Sequence, residues 1–221
     1  MAGADDAAVP MGLRERKKEQ TRERLKQAAL DLFARRGFDD VTVDEIAEAA
    51  DVSKSTLFRY YETKEDLLFA DAVGHRDALV RALAGRPAEE PVLVSLRASL
   101  RSLADYYQAD RQRAVTRNRI MAESPALAAR SLERQVVWEE GLAAVLLPRL
   151  GGGPDAETRA GVLAAASMGV VRVATRRWIA SEDDSKMIDH VLAALDLLID
   201  ELEGGRSARY TTNGSTDRRT G

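Results

Sequence analysis

Apolar side chains at Leu25, Ala28, Ala29, Leu32 and Phe33 return every three or four positions, the spacing of one helix face. They predict a first helix over about 16–36, stopped by Gly37. Thr42-Val43-Asp44-Glu45 reads as a capping box in which the Thr42 side chain accepts from the Glu45 amide, opening a short helix to about residue 50. Asp51-Val52 makes a tight link, and Ser53 caps a third short helix over 54–60, with Val52, Leu57 and Tyr61 as its inward stripe. Thr63 with Asp66 opens a fourth helix over about 64–83.

Beyond a linker at 85–91, further helices are predicted at about 91–108, 110–122, 125–147, 155–180 and 184–203. Ser124 precedes a proline suited to a first helical position, while Pro148 and Gly151-Gly152-Gly153-Pro154 break the chain before the eighth helix. No segment sustains the two-residue alternation of β-branched side chains that marks a strand. The expected fold is all-α with about nine helices: an N-terminal three-helix domain containing a helix-turn-helix, then a larger helical bundle. Residues 1–12 are expected to form a disordered arm, 13–63 the first domain, 64–203 the second, and 204–221 a disordered tail with no Leu, Ile or Val.

Composition narrows the chemistry. The 221 residues are 45% hydrophobic and 31% charged, and 33 Lys+Arg against 36 Asp+Glu leave a net charge of −3, the profile of an ordinary globular protein. Cysteine is absent, which excludes disulfide frameworks, thiolate zinc sites and cysteine nucleophiles. His75 and His190 are the only histidines and stand at no recognisable spacing from a nucleophile. The triple glycine lacks the Lys-Ser/Thr of a phosphate loop. No catalytic residue, metal ligand or bound cofactor is therefore assigned. No apolar run approaches the roughly 18 residues that cross a bilayer, and the N-terminus lacks the pattern of a signal peptide; a cytoplasmic protein with no membrane partner is expected.

Residues 42–50 and 53–60 form a helix-turn-helix candidate. A recognition helix buries one stripe on its partners and offers small, polar and basic side chains to the major groove. Lys54, Ser55, Thr56, Phe58, Arg59 and Tyr60 crowd the start and outer side of the third helix. Upstream, residues 13–26 hold seven basic side chains against three acidic ones. Such an arm suits phosphate contact through counterion release, with a solvated face of Glu–Arg pairs as the alternative.

Residues 21–68, TRERLKQAALDLFARRGFDDVTVDEIAEAADVSKSTLFRYYETKEDLL, resemble the DNA-binding domain of TetR-family bacterial transcription regulators. The likeness rests on Ala28-Ala29 with Leu32-Phe33, Gly37-Phe38, Thr42-Val43, Ile46-Ala47, Ala50, Val52-Ser53, Leu57 through Tyr61, and Lys64-Glu65-Asp66-Leu67. It implies a homodimer on a palindromic double-stranded DNA operator, usually repressing transcription until a small-molecule effector enters the C-terminal domain. By position it implies that Lys54, Ser55 and Thr56 face bases and nearby phosphates. Thr42, and Arg14 and Lys17 in the basic arm, join the DNA contact, and Lys64 would hold a phosphate at the start of the fourth helix. Phe58 stands where the family often has tyrosine and Tyr60 where it often has histidine. Phe58 lacks a hydroxyl for phosphate, which Tyr60 could supply; packing against the first helix is the other role open to Phe58.

In the C-terminal part, Ile188, Leu192, Leu195, Leu198 or Ile199, and Leu202 form one helical stripe, and Val162, Ala165, Ala166, Gly169, Val170 and Val173 another. They suit a two-fold four-helix interface, with an intramolecular core as the alternative. Tyr107, Met121, Trp138 and Met168, with Arg117, Asn118, Arg172 and Arg176, are candidate effector contacts, combining adaptable apolar surface with a few polar groups. Core packing is the alternative for the aromatics and methionines. Arg117-Asn118-Arg119, Ser124-Pro125-Ala126-Leu127, Trp138-Glu139 and Arg176-Arg177-Trp178 are similar to a subgroup with acyl-CoA-like ligand domains, which implies an amphipathic effector of that type. An effector-free architectural DNA-binding protein is the rival reading.

Overall fold

A computed structural model describes residues 12–181 and 183–212. Its helices are α1 (Leu13–Arg36), α2 (Val43–Ala49), α3 (Lys54–Tyr60), α4 (Lys64–Ala84), α5 (Val92–Ala109), α6 (Arg111–Glu123), α7 (Pro125–Leu146), α8 (Ala156–Ala180) and α9 (Met187–Thr212). A 3-10 turn (Leu147–Leu150) follows α7, and no strand occurs among the described residues. The all-α expectation holds. One end does not: α9 continues to Thr212, so residues 204–212 of the expected disordered tail are helical. Gly204 and Gly205 each cost about 1 kcal/mol in a helix interior, too little to stop a helix that is already propagating. Residues 1–11 of the expected arm and 213–221 of the expected tail lie outside the described residues.

The chain divides into two compact units, 1–72 with 116–128, and 73–115 with 129–221. The division expected at 63/64 thus moves into α4, and part of α6 and α7 joins the first unit. Burial explains the shift: Leu67, Leu68 and Phe69 of α4, Ile120 of α6 and Leu127 of α7 pack in one cluster with Leu25, Phe33, Ile46 and Leu57. Each such side chain, fully buried, contributes roughly 1.5–3 kcal/mol of transfer free energy.

The second unit closes around Leu79 and Leu83, Leu96, Leu100 and Leu103, Leu142 and Leu146, Trp178, and Met187, Val191 and Leu195. Ala160, Ala164 and Ala174 are buried on α8, where small side chains let neighbouring helices approach. Arg111 caps the end of α8 through the carbonyls of Trp178 at 3.1 Å and Ser181 at 2.8 Å. Gly151, Gly152 and Gly153 reverse the chain with φ of 72°, 70° and 97°, a run that side-chain-bearing residues would resist.

The two stripes expected at an intersubunit face are split by this core. Ile188, Leu195 and Val170 are buried within it, and Leu192, Leu198 and Ile199 pack against it half-buried. For these residues the intramolecular alternative is the observed one, because they are needed to close the α8–α9 contact. Val162, Val173 and Leu202 remain exposed, together with Leu197, which the stripe had omitted.

Candidate nucleic-acid interface

The helix-turn-helix is built by local capping. The Thr42 hydroxyl accepts from the Glu45 amide at 3.3 Å, and Glu45 Oε2 accepts from the Thr42 amide at 2.8 Å, so the predicted box is complete. Arg36 at the end of α1 donates to Glu45 Oε1 at 2.6 Å and to the Asp40 carbonyl at 2.7 Å, tying α1 to the start of α2. These donors, the Thr42 amide first and then Arg36, hold the Glu45 carboxyl down at about 2 instead of 4.5. The turn passes through Asp51 at φ 54°, a left-handed conformation that Asp tolerates better than branched residues do. Ser53 then caps α3, accepting from the Thr56 amide at 3.1 Å.

Only Leu57 of α3 is buried. The helix is held by that side chain together with Tyr61 just beyond it, and the rest of its circumference is offered outward. Lys54 and Ser55 are exposed and Thr56 half-buried. Lys54 Nζ donates to Asp44 Oδ2 at 2.9 Å, and the Ser55 and Ser53 hydroxyls lie 3.0 Å apart. Phe58 is 45% exposed and is not among the side chains packed in the first unit's core. Tyr60 is half-buried against the first unit's core, with the Arg22 and Arg59 guanidiniums 5.7 and 5.4 Å from its ring centroid. Arg14 and Lys17 are exposed on the first turns of α1, whereas Lys18, Arg22 and Lys26 pair with glutamates three residues upstream. Part of the basic arm is therefore the solvated, paired face. Thr42 is exposed, but its hydroxyl also donates to Glu45 Oε2 at 2.8 Å, so its first task is the cap.

Lys64 does something other than the resemblance implies. Its ammonium donates to the carbonyls of Phe38 at 2.9 Å, Val41 at 3.2 Å and Asp39 at 3.4 Å, and lies 4.4 Å from the Phe38 ring centroid. The loop between α1 and α2 leaves carbonyls without helical donors, and Lys64 supplies what they lack. It bolts the loop in place.

The candidate effector residues fall into different units. Arg117 is buried and Asn118 and Met121 half-buried in the first unit, Met121 against its core. The other five belong to the second. Met168 is buried core. Arg172 is exposed and donates to Gln135 Oε1 at 3.0 Å, and Arg176 is exposed. Tyr107 and Trp138 are half-buried and do come together, around a residue that the sequence had not singled out for binding. His75 is buried with its ring 4.1 Å from Tyr106, 4.7 Å from Tyr107 and 6.4 Å from Trp138, centroid to centroid. The Tyr106-Tyr107 pair and a lone histidine in an apolar helix were the available signals.

Residues 25–70 match the family described as bacterial regulatory proteins, tetR family, and residues 90–203 match the MftR C-terminal domain. The chain is 30% identical over 183 residues to MftR of Mycobacterium tuberculosis, whose name assigns it to regulation of mycofactocin biosynthesis, covering 83% of this chain and 91% of that protein. It is 29% identical over 197 residues to the helix-turn-helix transcriptional regulator TcmR of Streptomyces glaucescens, covering 86% of each. Among solved structures, a TetR-family regulator of Syntrophomonas wolfei superposes with a TM-score of 0.61 at 13% identity, over 83% of this chain and 95% of that one, a likeness of fold alone. No helix among the described residues is long and apolar enough to cross a membrane. An exposed, capped reading helix and family matches over most of the chain lead to one conclusion: this protein belongs to the TetR family of transcriptional regulators, a non-enzymatic DNA-binding family.

Proposed function

We propose that the chain works in the cytoplasm as a homodimeric repressor of a palindromic operator, released from DNA by a small amphipathic effector bound in the second unit. The observation that carries the reading is α3, fastened to the core through Leu57 with Tyr60 and Tyr61 at its end, while Lys54 and Ser55 at its start stay exposed. One such helix reads only a few base pairs, and pairing two of them multiplies both affinity and discrimination. Val162 and Val173 on α8 and Leu197 and Leu202 on α9 supply exposed apolar surface for that pairing. The aromatic cluster around His75 supplies rigid apolar contacts for an effector. The acyl-CoA type follows from the sequence resemblance and is supported chemically by the exposed Arg172 and Arg176, whose guanidiniums suit phosphate groups. Release requires the effector to bind the DNA-incompetent arrangement more tightly than the competent one.

The test is selection of sites from random DNA, repeated with acyl-CoAs of several chain lengths. The expected result is an enriched inverted repeat, lost in the presence of an effective acyl-CoA. Lys54→Ala and Thr56→Ala are expected to relax the selected sequence. Enrichment of a single half-site, or sedimentation as a monomer at micromolar concentration, would refute the dimer. Absence of both calorimetric heat and operator release with every chain length would refute the acyl-CoA effector.

A further inference from the structure

We propose that Arg22 of α1 and Arg59 of α3, gathered around the ring of Tyr60, form a two-cation seat for backbone phosphates of the bound DNA. The inference rests on the DNA-binding reading of α3 and gives Arg22 of the basic arm and Arg59 of the helix's outer side one shared task. Both guanidinium carbons lie over one aromatic ring, at 5.7 Å and 5.4 Å from its centroid. The ring itself is fixed, because Tyr60 is half-buried against the cluster that includes Leu25, Phe33 and Leu57. Two long side chains from separate helices are thereby brought to one place and lose part of their rotamer freedom before any ligand arrives. A guanidinium within about 6 Å of an aromatic ring is drawn to it by the ring's negative face, and its forked N–H groups suit a phosphate.

The position along α3 fits the same ligand. Arg59 follows Ser55 by four residues and Tyr60 follows Thr56 by four, so the seat continues the two rows that begin with the base-reading candidates. Gathering two like charges is unfavourable for the protein alone, and the anion offered to Arg22 is Glu19, an exposed partner at 3.3 Å whose side chain is 53% exposed. Such a surface pair is weak and readily exchanged. A phosphate strand passing the end of α3 would meet both cations already oriented. On this account Tyr60 is a positioning residue that acts through its ring, and its hydroxyl is dispensable.

The test is titration of a duplex of about 30 base pairs, taken from sites this protein selects, at salt concentrations between about 50 and 200 mM. Arg22→Gln with Arg59→Gln is expected to flatten the plot of log affinity against log salt by about 1.8 per reading helix, two phosphates at ~0.9 each. Affinity should fall by the same factor on selected and scrambled duplexes. Tyr60→Leu should bind several-fold more weakly than Tyr60→Phe, which keeps the ring. Arg22→Lys with Arg59→Lys, which keeps the charges without the forked guanidinium, should keep the slope and lose affinity; it carries the test if the Gln pair fails to fold. An unchanged slope in the Gln pair, or a flattened slope in the folded Lys pair, would overturn the proposal. Loss in Tyr60→Phe equal to that in Tyr60→Leu would overturn it as well, because the hydroxyl would then be the contact. If the natural chain selects no sites and shows no salt-dependent binding, the DNA-binding reading of α3 itself fails, a result distinct from these.

Discussion

Replacing Lys64 with methionine separates a structural bolt from a phosphate ligand. In the natural chain the ammonium donates to three carbonyls, two of them at 2.9 and 3.2 Å, and lies over the Phe38 ring. Hydrogen bonds to a charged group contribute about 1.5–3 kcal/mol each when well formed. Lys64 is only half-buried, so water can take over part of that role, and the two shorter bonds together contribute about 2 kcal/mol. The cation–ring contact adds about 0.5 kcal/mol, and the rotamer entropy that methionine no longer surrenders removes a similar amount. The expected loss is therefore about 2 kcal/mol, confined to the first unit. By hydrogen exchange the amides of 41–46 should open roughly thirtyfold more often. Melting followed by circular dichroism should shift down by about 10 °C. A loss of that size leaves a domain of ordinary stability almost wholly folded, so DNA affinity should change little on any sequence, with the salt slope unchanged. A phosphate ligand predicts the reverse, unchanged exchange and a slope flatter by about 0.9 per reading helix. That outcome would refute the assignment of Lys64 as a bolt.

Three further outcomes follow from the same unit and its neighbour. Asp44→Ala releases Lys54 from its 2.9 Å partner; an exposed pair is worth up to about 1 kcal/mol, so binding to the selected duplex should tighten up to about fivefold, as read by competition titration, and weaker binding would contradict the reasoning. Asp51→Ile places a branched side chain at φ 54° and should lower urea-unfolding stability by about 1–2 kcal/mol; an unchanged midpoint would contradict the strain. Glu45 and Glu90 are both held at about 2 against an ordinary 4.5, Glu90 chiefly by Arg86 and then Ser95. Their contribution is complete above 4.5 and is lost as pH falls toward 2. Urea midpoints should therefore decline across that window in the natural chain and flatten in Glu45→Gln with Glu90→Gln; equal slopes in both proteins would refute the linkage.

Helix existence was legible before folding because its causes are local. The period of Leu25, Ala29 and Phe33, the Thr42–Glu45 box and the Ser53 cap act over three or four residues. They placed α2 and α3 and the exposed side of the reading helix, and with the family resemblance that was enough for the class of function. The end of α9 was misplaced because a glycine pair is a cost and not a barrier once the helix has nucleated.

Tertiary structure decided what each surface meets. Lys64 and Phe38 are 26 residues apart, and no local pattern says whether a helix-start lysine turns outward to a phosphate or inward to a loop's carbonyls. The stripes on α8 and α9 were correctly apolar, yet Ile188 and Leu195 close the unit's own core while Leu197 and Leu202 stay outside. Periodicity reveals that a face is removed from water, but an intramolecular partner and a second copy dehydrate it equally well. The same holds for the aromatics: Tyr107 and Trp138 meet at His75, while Arg117 and Met121 belong to the other unit. Sequence by itself determined the helices, their caps and the class of protein, because these depend on neighbours along the chain. The assignment of each polar or apolar group to its partner depended on distances that exist only after the chain has folded.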